Sequence, residues 1–249
     1  MLDGRVALVT GGGRGMGTAI CRALARQGAT VVINYRESRD RAEALAAEII
    51  GAGGKALALQ ADVMDGEAVA RMVEEARRQL GKLDILVHNA ALLGFSKPFA
   101  QMTWADFELQ VGISLKAAVH CAQAVLPDMT AQRWGRIVTM GTVMVNFPGA
   151  AGYTAYLAGK AALLGFTRSL AFEVGPLGVT VNMVAPTLTL TERIAAGPQD
   201  RIEAFARQIP VGRIPSPEDV AQAVTFLASP GAALITGVFL PVCGGMLML

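Results

Sequence analysis

Short β-rich runs alternate with helical patterns along the whole chain, and this alternation constrains the fold more than any single motif. Repeated strand–helix–strand units imply a parallel sheet with right-handed crossovers and helices on both faces. The chain is therefore predicted to be α/β, with a doubly wound, seven-stranded parallel sheet in a single domain, 1–249. The strands are predicted at 5–10, 30–35, 55–60, 83–88, 136–142, 179–184 and 237–242, and the helices at 15–27, 38–51, 65–80, 104–131, 154–174 and 217–228.

The composition agrees with one large domain. The 249 residues contain no linker-like stretch, and 53% of them are hydrophobic against 17% charged, which suits strands buried on both faces. One segment, 187–210, interrupts the rhythm with threonine-rich, Gly-Pro and short helical pieces. Such a segment after a strand is typical of a lid over a cleft, so we predict a substrate lid there.

Charge, hydropathy and cysteine content exclude several classes of partner. The net charge is only +2, and basic pairs such as Arg77-Arg78 lie among acids, so nucleic acid is not an expected partner. No apolar run approaches 18 residues, and the first strand begins at about residue 5, so neither a membrane span nor a signal peptide is expected. Cys21, Cys121 and Cys243 are widely spaced and odd in number, which favours a reducing cytoplasm without disulfides or a metal site.

A glycine-rich loop follows the first strand and leads into the first helix; residues 10–17 read TGGGRGMG. Glycine permits positive φ and lets the backbone approach a phosphate closely. The helix N-terminus then offers free N–H groups to a pyrophosphate. Taken alone, such a loop is also compatible with a glycine-rich turn that binds nothing. Together with the strand before it and the helix after it, the loop predicts a dinucleotide site.

Tyr156 and Lys160 are one helical turn apart, so both side chains can face one cleft. A free tyrosine is a poor base at neutral pH, and an adjacent ammonium group would lower its pKa. Thr142, fourteen residues upstream, ends a strand-like run and adds a hydroxyl. These groups can move a proton to or from a carbonyl oxygen. An isolated pair at this spacing is also common on helix surfaces, and Tyr153 is a weaker candidate because no lysine follows it at the same spacing.

In this order, the glycine loop and the Tyr156/Lys160 pair resemble the short-chain dehydrogenase/reductase family, and the resemblance covers essentially all 249 residues. It implies a Rossmann-type domain with a nicotinamide cofactor. It further implies that Tyr156 is the general acid in reduction and that Lys160 bonds the nicotinamide ribose. Thr142 matches the catalytic serine. Ser114 matches an asparagine whose backbone carbonyl holds a proton-relay water; a small residue tolerated in a packed helix is the alternative.

The same resemblance implies a set of cofactor contacts from five loops. They are Gly11, Arg14, Gly15, Met16, Gly17, Tyr35, Arg36, Asp62, Val63, Asn89, Ala90, Pro186, Thr187 and Thr191, with Tyr156 and Lys160. Three positions depart from the family pattern: Ala91 and Thr187 each replace a glycine, and Cys243 stands where an acid is common. Loss of a glycine can forbid positive φ, so the local loop geometry is open. Cys243, His88 and His120 are interpreted as structural.

The end of the second strand indicates which nicotinamide cofactor is bound. An NAD site usually places an acid there, but the chain reads Asn34-Tyr35-Arg36 with no acid before Glu37. Arg36 and Arg14 could instead face a 2′-phosphate, since guanidinium groups suit phosphate. Solvated surface arginines are the alternative. The pattern favours NADPH/NADP over NAD.

Apolar residues after the strand ends predict an apolar substrate pocket. They are Leu92, Leu93, Phe95, Val143, Met144, Val145, Phe147 and Leu188. The most similar subgroup is the 3-oxoacyl carrier-protein reductases, which dock an acidic carrier through two arginines. Arg133 matches the first, but Phe172 stands at the second. A free, largely apolar ketone or alcohol is therefore favoured over a carrier-bound substrate.

We expect an NADP(H)-dependent oxidoreductase that transfers a hydride between nicotinamide and a ketone or secondary alcohol. A 3-oxoacyl-carrier-protein reductase is the first alternative, and a cofactor-binding scaffold or regulator without turnover is the second. The helices at 104–131 and 154–174 and the segment 238–249 carry more apolar residues than one sheet face needs. We therefore expect a homotetramer, with a dimer as the fallback.

Overall fold

The computed structural model describes residues 1–91, 96–147 and 151–248. Their seven strands form one parallel sheet in the order β3-β2-β1-β4-β5-β6-β7, which confirms the predicted fold class. The strands are β1 (Val6–Val9), β2 (Thr30–Tyr35), β3 (Lys55–Gln60), β4 (Ile85–His88), β5 (Gly135–Met140), β6 (Val179–Pro186) and β7 (Phe239–Val242).

The strand order reverses at β1, which pairs with β2 on one side and with β4 on the other. The crevice outside the carboxyl ends of the strands at such a switch point is where doubly wound sheets bind ligands. The loops after β1, β4, β5 and β6 all open at that edge. The fold thus brings the predicted loop at 10–17 and the predicted catalytic group to one side of the sheet.

One predicted strand begins later and another ends earlier than the sequence pattern indicates, because polar groups compete for the backbone. Asp84 was predicted inside the fourth strand, but its carboxylate accepts the Val6 N–H at 2.8 Å and an Arg5 hydrogen bond at 2.7 Å. Thr142 lies beyond β5, where its hydroxyl accepts the Met144 N–H at 3.3 Å and begins a short turn. Thr142 is therefore at the start of a loop.

Helices cover both faces of the sheet. They are α1 (Met16–Arg26), α2 (Arg39–Gly51), α3 (Gly66–Leu80), α4 (Trp104–Val111), α5 (Ala117–Ala131), α6 (Thr154–Val174), α7 (Glu192–Ala195), α8 (Gln199–Ala206) and α9 (Pro217–Ala228). One apolar core lies between the sheet and α1, α2 and α9, and a second lies between the sheet and α3, α5 and α6. Capping boxes begin α4 at Thr103 and α9 at Ser216.

The helix predicted at 104–131 is interrupted by a π-turn over Gly112–Lys116, where the Ala117 N–H bonds the Gly112 carbonyl five residues back. By length and composition alone, Trp104–Ala131 could cross a membrane, but half of its apolar stretch is buried inside the protein. Such burial is typical of a core helix. Ala117, Cys121 and Val125 on this helix belong to the second core.

The segment predicted as a lid, 187–210, lies between β6 and α9 and contains the two short helices α7 and α8. The first residues of this segment lie against the glycine loop. A Cβ built on Gly15 would lie 3.6 Å from Cγ2 of Thr191, just before α7. The lid therefore starts beside the predicted dinucleotide site, and a role in closing over a substrate stays a prediction.

Candidate active site

The glycine loop has a backbone that requires glycine at several positions. Gly11 and Gly15 have φ of 61° and 54°, a region that side chains rarely adopt. A Cβ on Gly17 would lie 2.3 Å from the Gly11 carbonyl oxygen. No side chain caps α1 at Gly15, so the first N–H groups of α1, from Met16 onward, remain available. This cradle fits a pyrophosphate.

Asn89 stabilises the glycine loop from the next strand. Its side-chain amide donates to the carbonyls of Thr10 and Gly11, at 2.9 and 3.1 Å. The Thr10 hydroxyl in turn accepts the N–H groups of Asn89 and Ala90, at 3.0 and 2.9 Å. The predicted cofactor residues after β1 and β4 therefore form one hydrogen-bonded unit. In this structure, the Asn89 side chain stabilises the glycine loop through these hydrogen bonds.

The adenosine end of the predicted site differs from the sequence expectation for Arg36. Its guanidinium is 2.7 Å from the Glu37 carboxylate and 4.0 Å from that of Asp62, and half of the side chain is exposed. Tyr35 is buried, and its hydroxyl accepts a hydrogen bond from Arg39 at 3.3 Å. Arg36 is therefore already paired with acids in this structure.

A surface depression beside the glycine loop holds different arginines. It is lined by Arg14, Glu37, Ser38, Arg39, Asp40 and Arg41. Of these residues, the sequence pattern predicted Arg14 as a cofactor contact but not Arg39 or Arg41. Both belong to the first turn of α2, and the positive end of that helix adds to their charge. The sequence does carry a signal for these two arginines, because acidic residues are usual in the first turn of a helix and α2 has two basic residues there.

Asp62 and Val63 follow β3 at the same edge of the sheet. Asp62 accepts the Met64 N–H at 2.9 Å, which shapes the turn after β3. Val63 is buried, and its carbonyl oxygen is 3.2 Å from Nδ1 of His120. The structure places both at the carboxyl edge of the sheet, and their contact with adenine stays a prediction.

Lys160 is buried near the end of β5. Its Nζ donates a 2.7 Å hydrogen bond to the Met140 carbonyl and lies 6.0 Å from the centroid of the Tyr156 ring. Burial lowers the pKa of the Lys160 amine to about 8, because desolvation disfavours its charged form. At neutral pH the amine is therefore charged, and it can exchange its hydrogen bond to the Met140 carbonyl for one to another acceptor.

The pKa of Tyr156 is raised from its ordinary value by burial, and the nearby Thr142 hydroxyl opposes part of this effect. This differs from the expectation that Lys160 lowers that pKa. The reason is geometric: the ammonium group bonds the Met140 carbonyl in this structure, and its Nζ lies 6.0 Å from the centroid of the Tyr156 ring. Tyr156 is thus a protonated acid at neutral pH, which is the form that can donate a proton to a carbonyl oxygen.

Tyr153 lies at the start of α6, with its ring centroid 6.2 Å from that of Tyr156 in an edge-to-face arrangement. Two rings in this arrangement orient one another. Lys160 lies near the Tyr156 ring, as the sequence spacing predicts.

Ser114 is buried in the π-turn at the end of α4. Its carbonyl oxygen is 3.1 Å from Nε2 of His88, the last residue of β4. Sequence analysis expected a carbonyl free to hold a relay water and interpreted His88 as structural. The carbonyl already has one hydrogen-bond partner, and a second lone pair remains for another donor.

The residues predicted beside nicotinamide follow β6. Pro186 ends the strand; the Thr187 N–H donates to the Val242 carbonyl at 3.3 Å, and its hydroxyl is 3.3 Å from the sulfur of Met246. Thr191 begins α7. Among the described residues, Arg133 is the only one other than glycine with positive φ, so Ala91 and Thr187 adopt ordinary backbone conformations.

The predicted pocket residues differ in how far their side chains are exposed. Val143 is buried and Leu188 is partly exposed at the start of the predicted lid, while Met144, Val145 and Phe147 are half-buried after β5. Leu92, Leu93 and Phe95 lie outside the described residues. Cys243 is buried, and its sulfur accepts the Leu247 N–H at 3.3 Å, which agrees with a structural role.

Comparison with known proteins identifies the family. Residues 11–247 match a family model described as enoyl-(acyl carrier protein) reductase. A mutant of a short-chain dehydrogenase/reductase from Serratia marcescens superposes with a TM-score of 0.91, at 35% identity over 98% of each chain. The chain belongs to the short-chain dehydrogenase/reductase family. The predicted resemblance is thereby confirmed, and so are the Rossmann-type fold and the oxidoreductase class.

Other members are similar over the whole chain. The 3-oxoacyl-[acyl-carrier-protein] reductase of Pseudomonas aeruginosa is 43% identical over 99% of both proteins, and that of Aquifex aeolicus is 41% identical over 98% of both. A blue fluorescent protein from a metagenomic library, solved in complex with NADPH, has a TM-score of 0.91 at 37% identity over 99% of both chains.

The two positions that sequence analysis compared with carrier-docking arginines lie away from Tyr156 within this subunit. Arg133 precedes β5, at the opposite end of the sheet from the catalytic group, and its guanidinium donates to the Pro176 carbonyl at 2.9 Å. Phe172 projects from α6 with 90% of its surface exposed. Neither lines the cleft of its own subunit in this short-chain dehydrogenase/reductase.

Proposed function

We propose that the protein is an NADPH-dependent ketoreductase that acts on a largely apolar ketone, with the secondary alcohol as product. The observation that carries this proposal is the convergence of Thr142, Tyr156 and Lys160 at the edge of the sheet where the glycine loop opens. Residues that fit a dinucleotide and residues that transfer a proton share one cleft. The intact Tyr156/Lys160 pair argues against a scaffold without turnover.

A bound nicotinamide cofactor supplies the hydride. The protein's own residues supply the proton and the positive charge. In reduction, Tyr156 donates its phenolic proton to the substrate oxygen while the Thr142 hydroxyl hydrogen-bonds that oxygen. Lys160, charged below a pKa of about 8, stabilises the resulting phenolate when its ammonium group leaves the Met140 carbonyl. The buried surroundings strengthen each of these interactions.

The preference for NADPH is supported by the depression lined by Arg14, Arg39 and Arg41. Arg39 and Arg41 in the first turn of α2, with Arg14 from the glycine loop, outnumber the acids Glu37 and Asp40 in the same lining, and their guanidinium groups suit a 2′-phosphate better than a ribose hydroxyl. The solved neighbour in complex with NADPH supports the same choice. Arg36 is a further contributor to phosphate binding, but its guanidinium group would first have to leave the Glu37 carboxylate.

A second candidate substrate is a 3-oxoacyl group carried on an acyl carrier protein. The names of the bacterial relatives at 41–43% identity favour it. The placement of Arg133 and the exposed Phe172 favour the free ketone. Both candidates require the same hydride and proton transfer at Tyr156 and differ only in what the outer cleft recognises.

An assay of NADPH oxidation separates these possibilities. The panel contains aliphatic and aromatic ketones, 3-oxoacyl thioesters of coenzyme A, and the same acyl groups on acyl carrier protein, with NADH in parallel. We expect kcat/KM to be higher for apolar ketones than for the carrier-bound group. Faster turnover of the carrier-bound group would support the second candidate. No turnover of any carbonyl compound would overturn the proposed function.

We infer further that the protein is a cytoplasmic homotetramer. Phe172 on α6 and Trp104 on α4 are 90% and 73% exposed, and Phe226 on α9 is half exposed. Large apolar side chains in such numbers support interfaces on two sides of the subunit. The three cysteines are free and buried, which agrees with a reducing compartment.

A further inference from the structure

A buried histidine ring meets a backbone carbonyl near Lys160, and the ring has no role in the proposed proton transfer. His88 ends β4 with 1% of its surface exposed, and Ser114 lies in the π-turn with 2% exposed. Nε2 of His88 is 3.1 Å from the Ser114 carbonyl oxygen. A π-turn changes the direction of helix carbonyls, because hydrogen bonds five residues apart replace those four apart. The histidine therefore bonds a carbonyl at the one irregular turn of this helix.

The hydrogen bond determines the protonation of the ring. A carbonyl only accepts, so Nε2 carries the proton, and the neutral ring keeps a lone pair on Nδ1. Nδ1 is buried and has no hydrogen-bond partner among the described residues. The ring meets the carbonyls of Ile113 and Ser114 from the π-turn and the positive charge of Lys160 from α6. Burial, and then the Lys160 charge, lower the pKa of His88 to about 4.

The other side of the π-turn lies against α6 at Gly159, the residue before Lys160. A Cβ on Gly159 would lie 2.5 Å from the Gln110 carbonyl oxygen and 3.1 Å from Oγ of Ser114. The backbone of α6 therefore contacts the turn directly. Ser114 is held between His88 on one side and the Gly159–Lys160 backbone on the other.

We propose that His88 is a positioning residue for the reaction: its Nε2–H fixes the Ser114 carbonyl, and with it the π-turn that supports Lys160. A neutral donor suits this place, because a second positive charge beside Lys160 would be repelled. The inference rests on the proposed function for its effect on turnover. The hydrogen bond itself is a property of the resting protein and can be measured without a substrate.

Nitrogen NMR of histidine-labelled protein tests the hydrogen bond directly, because the chain contains only two histidines. His120 contacts the Val63 carbonyl through Nδ1, whereas His88 contacts Ser114 through Nε2. The two rings should therefore show opposite neutral tautomers, with His120→Gln assigning the signals. We expect His88 to stay neutral with its proton on Nε2 from pH 5 to pH 9. A proton on Nδ1, or a titration within that range, would overturn the proposal.

Kinetics of matched variants test the positioning role. In His88→Gln, the amide nitrogen keeps a donor near the position of Nε2; in His88→Met, an apolar chain of similar length removes it. We expect kcat to fall at least about 10-fold in the methionine variant and to stay within about 3-fold of the parent in the glutamine variant. The Kd for NADPH and the KM should stay within about 2-fold in both, because no binding contact is removed.

Thr180→Val is the control, since Thr180 is another buried strand residue with an unpartnered polar atom, on β6. We expect its kcat to equal that of the parent. A methionine variant with the parent kcat would overturn the positioning role. If that variant does not fold, a loss of kcat beyond about 10-fold in His88→Gln would overturn it instead. An inactive parent protein would count against the proposed function and leave the NMR result to decide the hydrogen bond.

Discussion

Lys160 donates a 2.7 Å hydrogen bond to the Met140 carbonyl, so the lysine on α6 is attached to the end of β5, two residues before Thr142. One buried contact thus sets the distance between the two chain segments that carry the catalytic groups. The contact also explains why Lys160 tolerates burial, since its ammonium group keeps an acceptor. In the proposed reaction, this same group must be released from β5 to face the phenolate.

The first prediction concerns stability and pH. Burial lowers the pKa of Lys160 from 10.5 to about 8, so the folded state binds fewer protons than the unfolded state between these values. The free energy of unfolding that Lys160 contributes should therefore rise as pH increases from about 8 to about 10.5. Below pH 8 the full cost of burying the charge is present, about 3 kcal/mol at most.

Urea unfolding of the parent and of Lys160→Met at pH 7.5 and pH 10.5 measures this effect. The methionine variant should be the more stable protein at pH 7.5, and the difference should shrink at pH 10.5. Titratable groups elsewhere contribute equally in both proteins, so they cancel in the difference between the two free energies of unfolding. A difference that is constant or grows with pH would contradict a lowered pKa for Lys160.

The second prediction concerns the choice of cofactor. NADPH should bind more tightly than NADH, and Arg39→Ala and Arg14→Ala should each weaken NADPH binding by about 1.5–3 kcal/mol while NADH binding hardly changes. Arg36→Ala should also reduce the preference, but by less, because Arg36 must first leave Glu37. Fluorescence titration measures each Kd, with Arg71→Ala on α3 as a control at an exposed arginine. Tighter binding of NADH by the parent would refute the assignment.

The third prediction concerns Thr142. Its hydroxyl accepts the Met144 N–H at the start of the loop after β5, and its methyl group restricts the side chain. Thr142→Ser keeps the hydroxyl and should retain or raise kcat. Thr142→Val keeps the shape and should lower kcat by about 10²-fold or more, since one donor to the substrate oxygen is lost. Steady-state kinetics decide, and equal activity of the valine variant would remove Thr142 from the mechanism.

The fourth prediction concerns assembly. Phe172 is 90% exposed on α6 in one subunit, and such a side chain is expected to be covered in the assembled protein. Light scattering should give four times the subunit mass, with two times as the fallback. Phe172→Glu should shift the mass toward smaller species, whereas the same change at exposed Leu177 outside α6 should have a weaker effect. A parent protein that stays monomeric at micromolar concentration would contradict this prediction.

The sequence predicts those features that depend on local pattern. The predicted bounds of β2 and β3 match the structure to the residue, and the positive φ at Gly11 and Gly15 explains why the glycine loop can be located. Features that depend on contacts between distant segments were missed. The approach of Arg36 to Asp62, and the bond from His88 to Ser114, follow from the folded arrangement of several loops. No spacing along the chain encodes them.

The expected direction of the Tyr156 pKa was wrong for this structure for a similar reason. A spacing of four residues brings Lys160 to the same side of α6, but the nearest strong acceptor, the Met140 carbonyl, belongs to another element. Burial then decides the pKa of the phenol. The sequence therefore selects the residues that we propose as catalytic, and their roles stay predictions, while the charge around them required the structure.

Turnover of NADPH by Tyr156→Phe beside the parent tests the central claim most directly. The substitution removes only the phenolic hydroxyl, so NADPH affinity and melting temperature should be unchanged while kcat falls by about 10²–10⁴-fold. Tyr153→Phe is the matched control, with its ring 6.2 Å from that of Tyr156, and should retain activity. A Tyr156→Phe protein that reduces ketones at close to the parent rate would contradict the account.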